Sequence, residues 1–266
     1  MLKNGTLTLG STTMDYIAFG SGERTLIMLP GLGDGLRNVK GLALPCAVLY
    51  RLYGRHFHVY MFSRKRDLAP DCTTRSMARD QKEAMDALGI RKADVIGISQ
   101  GGMVAQYLAA DYPEAVGKLV LAATCPRCNP TLQEAVALWM RMARRGDAMS
   151  LMRDNVERIY SPAYVKRFGW LAPIVGLFTA PASYDRFLSM AQACFTHDAL
   201  EDLPRITAPT LIIGGEQDRV LTGEASHDLA GHIPGSRLVM YPDLGHSVYE
   251  EAPDFQRQVL EFLLET

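Results

Sequence analysis

Cysteine is scarce in this 266-residue chain and follows no pattern. Its five residues stand at positions 46, 72, 125, 128 and 194. An odd, irregular set argues against a disulfide framework and fits reduced thiols. Cys125-Pro-Arg-Cys128 has C-x-x-C spacing, but it follows a late strand rather than opening an early helix. No second pair completes a zinc site, so these two are read as incidental thiols. Excess charge is also missing: 28 Lys and Arg oppose 29 Asp and Glu, a net charge of −1. That balance leaves no electrostatic footprint for nucleic acid or an anionic membrane. No run of about 18 apolar residues occurs, so no membrane span is expected. The first residues carry no apolar signal core, and the expectation is a cytoplasmic protein. Repeats and low-complexity segments are absent too.

What remains is an ordinary globular composition, 48% hydrophobic and 21% charged. Residues 6–9 and 13–19 read as short strands, and 25–29 as a buried strand ending in the glycine-rich Pro30-Gly31-Leu32-Gly33-Asp34-Gly35. A helix is expected over 41–53, a strand over 57–62 left by the basic stretch Ser63-Arg-Lys-Arg66, and a helix over 76–88. Strands follow at 94–98 and 118–123. From about 126 to 205 the pattern turns helical, clearest over 131–145, 148–160 and 184–195. Strand–helix alternation resumes with strands at 210–213 and 237–241 and helices near 222–230 and from 253. Alternation of this kind specifies an α/β fold, a doubly wound, mostly parallel sheet. The helical block is then an insertion, giving a core of 1–125 and 206–266 and a helical cap of 126–205.

The most informative stretch is Val95-Ile-Gly-Ile-Ser99-Gln-Gly-Gly102. A strand, a G-x-S-x-G turn and a helix in immediate succession read as a nucleophile elbow. Both flanking glycines must be small because the turn is sharp, and Ser99 then sits at the positive end of the following helix. On these residues the chain resembles the α/β-hydrolase superfamily, from about residue 26 to the C-terminus. The resemblance implies the chain order serine, acid, histidine. It points to Asp218 in Gly214-Gly-Glu-Gln-Asp218, with Glu216 the nearer rival, and to His246 in Tyr241-Pro-Asp-Leu-Gly-His246-Ser. No carboxylate occupies 124–130, the family's main alternative position for the acid. It also implies oxyanion donors at the backbone N–H groups of Gln100 and Leu32. Pro30-Gly31 replaces the frequent His-Gly pair and leaves the Leu32 donor intact. A phosphate cradle fits this loop poorly, since no Lys-Ser/Thr pair follows it.

The insertion holds Trp139, Met140, Met142, Phe168, Trp170, Phe178, Met190 and Phe195, which suggest an apolar pocket. Trp139, Met142 and Trp170 are the candidate substrate contacts. No arginine cluster stands out as a carboxylate clamp, so a neutral, partly hydrophobic small molecule is the expected partner. These features imply a serine carboxylic-ester hydrolase working through an acyl-enzyme without a cofactor. Lactone opening, carbon–carbon cleavage of a β-diketone-like acid, amide cleavage and perhydrolysis use similar triads and stay open. Ser99 disfavours haloalkane dehalogenase and epoxide hydrolase chemistry, which need Asp there. A small-molecule receptor with slow turnover is a reading of another class, and an inactive homologue a weaker one.

Overall fold

In the computed structural model, residues 2–265 are described. Among them eight strands form one sheet, in the order β1-β2-β4-β3-β5-β6-β7-β8. The strands are β1 (Leu2–Leu9), β2 (Thr12–Phe19), β3 (Arg24–Leu29), β4 (Phe57–Lys65), β5 (Ala93–Ile98), β6 (Val116–Ala122), β7 (Thr210–Gly215) and β8 (Arg237–Tyr241). β2 pairs antiparallel with β1 and β4, and every pairing from β4 to β8 is parallel. The fold is therefore the doubly wound, mostly parallel α/β sheet expected. Central strands such as β5, Ala-Asp-Val-Ile-Gly-Ile, are nearly continuous apolar runs because helices cover both faces.

The helices are α1 (Ala43–Leu49), α2 (Arg51–Gly54), α3 (Thr74–Ala87), α4 (Gln100–Asp111), α5 (Pro130–Arg144), α6 (Ala148–Ile159), α7 (Pro162–Phe168), α8 (Ala172–Thr179), α9 (Asp185–Phe195), α10 (Glu224–His232), α11 (Val248–Glu251) and α12 (Phe255–Leu264). α4 carries no polar stripe, and residues 100–110 are all buried. A helix without a wet face belongs in the interior, here between the sheet and α3. α3 starts in a reciprocal cap, Thr73 and Ser76 each bonding the other's backbone N–H.

Two expectations shift. The helix predicted over 41–53 is broken at Tyr50 into α1 and α2. β4 runs on through Ser63, Arg64 and Lys65, where a basic departure was expected; Ser63 and Arg64 are buried there. The proline-marked stretch 162–179 forms α7 and α8, with Pro162 at the first helical position, where its missing N–H costs nothing.

Helices α5 to α9 lie between β6 and β7. The chain enters and leaves this helical block side by side: Cys128 N donates to His197 O at 2.8 Å, and Ala199 N to Pro126 O at 2.8 Å. His197 locks the neck. A carbonyl only accepts, so Nε2–H donates to Cys125 O at 3.1 Å, which leaves Nδ1 to accept from Thr74 Oγ1 at 2.9 Å. Both ring nitrogens are satisfied in the neutral form, and burial pushes the pKa down to about 4.

The unfolded chain therefore binds up to one more proton than the folded one between pH 6.5 and about 4. Stability from this site is complete above pH 6.5 and falls on acidification through that window, by about 3 kcal/mol in full. His197→Gln should flatten the dependence of Tm on pH between about 7 and 4. An equally steep slope in the variant would mean that another group carries it.

Candidate active site

β5 ends at Ile98, and the chain turns at Ser99 with φ 53° and ψ −122°. A non-glycine residue at positive φ costs on the order of 1–3 kcal/mol and persists only where its surroundings enforce it. The enforcement is visible. Ser99 N donates to Ala122 O at 2.9 Å, and Ser99 O accepts from Gly102 N at 2.8 Å and Thr124 Oγ1 at 2.8 Å. A Cβ on Gly97 would sit 2.6 Å from Gly101 O, and one on Gly101 only 2.0 Å from Leu29 O. The first turn of α4 thus presses against the ends of β3 and β5, and only glycine fits.

Two other strand ends bring the partners. Ser99 Oγ lies 3.0 Å from His246 Nε2, and His246 Nδ1 lies 2.8 Å from Asp218 Oδ2. Val220 N and Leu221 N donate to Asp218 Oδ1 at 2.7 and 2.9 Å, which fixes the carboxylate on the loop after β7. A carboxylate only accepts, so Nδ1 carries the ring proton and Nε2 faces the serine hydroxyl as an acceptor. Asp218 and His246 are buried. The three side chains form one hydrogen-bonded line, whereas Glu216 pairs with His227 at 3.1 Å.

Gln100 is the first residue of α4, and Leu32 the first of a 3-10 turn, Leu32–Gly35. An N–H at that position has no acceptor within its own helix. The Leu32 turn lies against the nucleophile: a Cβ on Gly31 would be 3.7 Å from Ser99 Oγ. Two helix N-termini flank one hydroxyl, a geometry suited to a developing oxyanion.

A family model described as "alpha/beta hydrolase fold" matches residues 24–253. The chain belongs to the α/β-hydrolase family. It is 27% identical over 263 residues to a 2-hydroxy-6-oxononadienedioate/2-hydroxy-6-oxononatrienedioate hydrolase from Pseudomonas sp, covering 92% of this chain and 89% of that protein. It is 28% identical over 193 residues to a 2-hydroxy-6-oxo-6-phenylhexa-2,4-dienoate hydrolase from Burkholderia cepacia, covering 70% and 68%. The crystal structure of MGS-M2, an α/β-hydrolase enzyme from a Medee basin deep-sea metagenome library, superposes with TM-score 0.86 at 24% identity, covering 98% of both chains. At that identity the likeness speaks for the fold.

In this α/β-hydrolase a chamber of about 540 Å³ opens over Ser99 and His246. Its walls are mainly apolar: Leu32, Leu36, Met61 and Ile98 from the core, and Trp139, Leu151, Ile159, Val175 and Phe187 from the helical insertion. Of the three candidate contacts, Trp139 lines the chamber, its indole N–H donating to Asp154 at 2.7 Å. Met142 does not; it packs against the buried cluster in which the insertion meets Met103, Val220 and Leu221 of the core. Trp170 does not either, and is 68% exposed. Helical spacing sorts a face from its opposite, but not the chamber from the insertion's interior. Arg37 and Asn155 are lining residues that sequence reasoning passed over; neither belongs to a motif.

Cys125 and Cys128 are free thiols. Burial pushes both thiol pKa values up, against thiolate chemistry. Among the described residues no three His, Cys, Asp or Glu side chains cluster as metal ligands, and no helix is long and apolar enough to cross a membrane.

Replacing Gly101 by Ala forces Leu29 or α4 to move. Overpacking of this kind should cost about 3 kcal/mol, lowering Tm by roughly 10 °C. Gly33→Ala has open space around the added Cβ and should leave Tm nearly unchanged. Equal Tm values for the two variants would contradict the close packing at the elbow.

Proposed function

We propose that the chain is a serine hydrolase that cleaves an acyl bond to an enol-type leaving group. The first substrate class is a 6-oxo dienoic acid with one carboxylate and an apolar 6-substituent, cleaved between carbons. Catalysis would run through Ser99, His246 and Asp218, with Leu32 and Gln100 as oxyanion donors.

The reading rests most on the chamber. Its walls are mainly apolar, with Asn155, Tyr160 and Glu250 among the polar exceptions, and Arg37 at its rim makes no side-chain hydrogen bond or ion pair among the described residues. One unpaired guanidinium suits one carboxylate. The relatives named as dienoate hydrolases support the same bond type, and the phenylhexadienoate has the matching shape, an aryl group at one end and a carboxylate at the other.

In this mechanism His246 Nε2 takes the Ser99 proton as Oγ adds to the 6-oxo carbon. The carbonyl oxygen becomes an oxyanion held by the Leu32 and Gln100 N–H groups. Asp218 steadies the imidazolium. The substrate reacts as its 2-oxo tautomer, in which the enol proton has moved to C5. Collapse then breaks the C5–C6 bond, and the departing electron pair is delocalised onto the 2-oxo group as a dienolate that takes its proton from His246. Water, deprotonated by the same imidazole, then adds to the acyl-serine. Its collapse releases the second carboxylic acid and returns the proton to Oγ. One water is consumed and two products leave.

A second reading is hydrolysis of a neutral lactone or carboxylic ester, favoured by the exposure of Arg37. The carboxylate clamp lies at the rim, and the chamber beyond it is apolar.

The test compares 2-hydroxy-6-oxo-6-phenylhexa-2,4-dienoate with a lactone and a 4-nitrophenyl ester series. Ser99→Ala should remove nearly all turnover, and Asp218→Asn should lower kcat by about 10⁴-fold. Arg37→Leu should raise KM for the dienoate about 10-fold while leaving that for neutral esters alone. Turnover of esters or lactones without the dienoate moves the assignment to the second reading. A single Ser99-dependent burst on every substrate moves it to a receptor with slow turnover.

A further inference from the structure

We infer that one face of helix α9 sets the width of the oxyanion hole, with Arg186 and Asp34 as positioning residues for the Leu32 N–H. The inference rests on the reading of Leu32 and Gln100 as the oxyanion donors.

The turn that carries Leu32 holds glycine at 31, 33 and 35, so its backbone has little stiffness of its own. Its order is imposed from outside. Asp34, 4% exposed, accepts from Ser63 Oγ at 2.7 Å and from Arg64 N at 2.9 Å, which ties the turn to the end of β4. Arg64 Nη2 donates to Pro30 O at 2.9 Å, just ahead of the turn.

Arg186 then closes the arrangement from α9. Its guanidinium donates to both the carboxylate and the main-chain oxygen of Asp34. It also reaches Arg64 O at 3.1 Å and Lys65 O at 3.2 Å. A planar, five-donor group can bridge two segments in this way, and an ammonium cannot. Contact is direct as well: a Cβ on Gly35 would stand 2.7 Å from Phe187 Cα.

The second donor is anchored to the same helix. Gln100 has a buried side chain, Nε2 donating to Met190 O at 2.6 Å and lying 3.1 Å from Cys194 Sγ. Residues 186, 190 and 194 are spaced by four and share one face of α9. Leu32 and Gln100 come from different loops, after β3 and β5, and this face is tied to both. Since an oxyanion donor works only within a few tenths of an ångström of its place, a loosened α9 should damage the transition state more than the bound substrate.

The test first establishes that a fluorophosphonate labels the wild-type enzyme at Ser99 and that Ser99→Ala blocks labelling. Kinetics on the best substrate and the affinity of phenylboronic acid, whose serine adduct fills the hole, are then measured for three variants. These are Arg186→Met, Arg186→Lys and the charge-neutral pair Asp34→Asn/Arg186→Met. Arg186→Met should lower kcat about 10- to 100-fold, keep KM within about 3-fold, and weaken the boronic acid in parallel with kcat. Arg186→Lys should fall between it and wild type. If Arg186→Met fails to fold, the charge-neutral pair and Gln100→Leu, which keeps the backbone donor, take its place with the same expected losses. Unchanged kcat and boronic acid affinity in the folded variants would overturn the inference while leaving the serine-hydrolase reading standing. Absence of Ser99 labelling in wild type would remove that reading and this inference with it.

Discussion

The structure depends on how closely α4 approaches the ends of β3 and β5. Gly97 and Gly101 allow that approach because any Cβ there would overlap backbone atoms. Ser99 is left at positive φ, between the last residue of a strand and the first of a helix. The strain is small beside the burial of α4, which is enclosed along nearly its whole length. The scaffold can hold an unfavourable backbone angle at one residue because the buried residues of α4 have no other stable place. The hydroxyl is lifted clear of the sheet as a consequence of packing.

Parallel strands supply the rest. In a parallel sheet every strand ends on the same edge, and the loops leaving that edge are brought together although they are far apart in sequence. The turn after β3 brings Leu32, the elbow after β5 brings Ser99 and Gln100, and the loops after β7 and β8 bring Asp218 and His246. The strand order places β3 beside β5, and β7 beside β8. Leu32, Ser99 and Gln100 therefore form one side of the candidate site, Asp218 and His246 the other, with β6 between them. Helices α5 to α9 leave the sheet after β6, at that midpoint, and Trp139, Ile159 and Phe187 among them line the chamber that Ser99 and His246 also line. Its entry and exit segments are pinned through His197, which bonds Thr74 at the start of α3 and the main-chain oxygen of Cys125.

Much of this was legible in the sequence because it is written in short, local signals. A buried strand, a glycine turn and a helix follow one another within a short span around Ser99. Asp218 and His246 each stand a few residues beyond a recognisable strand. The helical insertion is different. Trp139, Met142 and Trp170 look alike as large apolar residues, yet one lines the chamber, one packs against the buried cluster where insertion and core meet, and one faces solvent. Amphipathic spacing reports that a helix has an apolar side and is silent on which neighbour that side meets. Arg186 was hidden for a related reason. An arginine near the start of a helix reads as a solvated charge, and its partner Asp34 lies 152 residues away in the chain.

Bond specificity sits one level further from the sequence. A serine, a histidine and an aspartate in hydrogen-bonding line can attack any sufficiently electrophilic carbonyl, so the triad does not choose between carbon–carbon and carbon–oxygen cleavage. The choice rests on the leaving group and on where the pocket tolerates charge. Here the walls near Ser99 are apolar and the unpaired guanidinium of Arg37 is at the rim. A carboxylate held at that rim is kept away from the reacting carbon, where burying it unpaired would be costly. On the proposed reading, the separation between Arg37 and Ser99 would select by length: a substrate would gain from Arg37 only if its carboxylate and its scissile carbonyl were far enough apart to reach both. A conjugated chain of fixed extent meets that condition with little loss of conformational entropy, and a flexible ester of the same length does not.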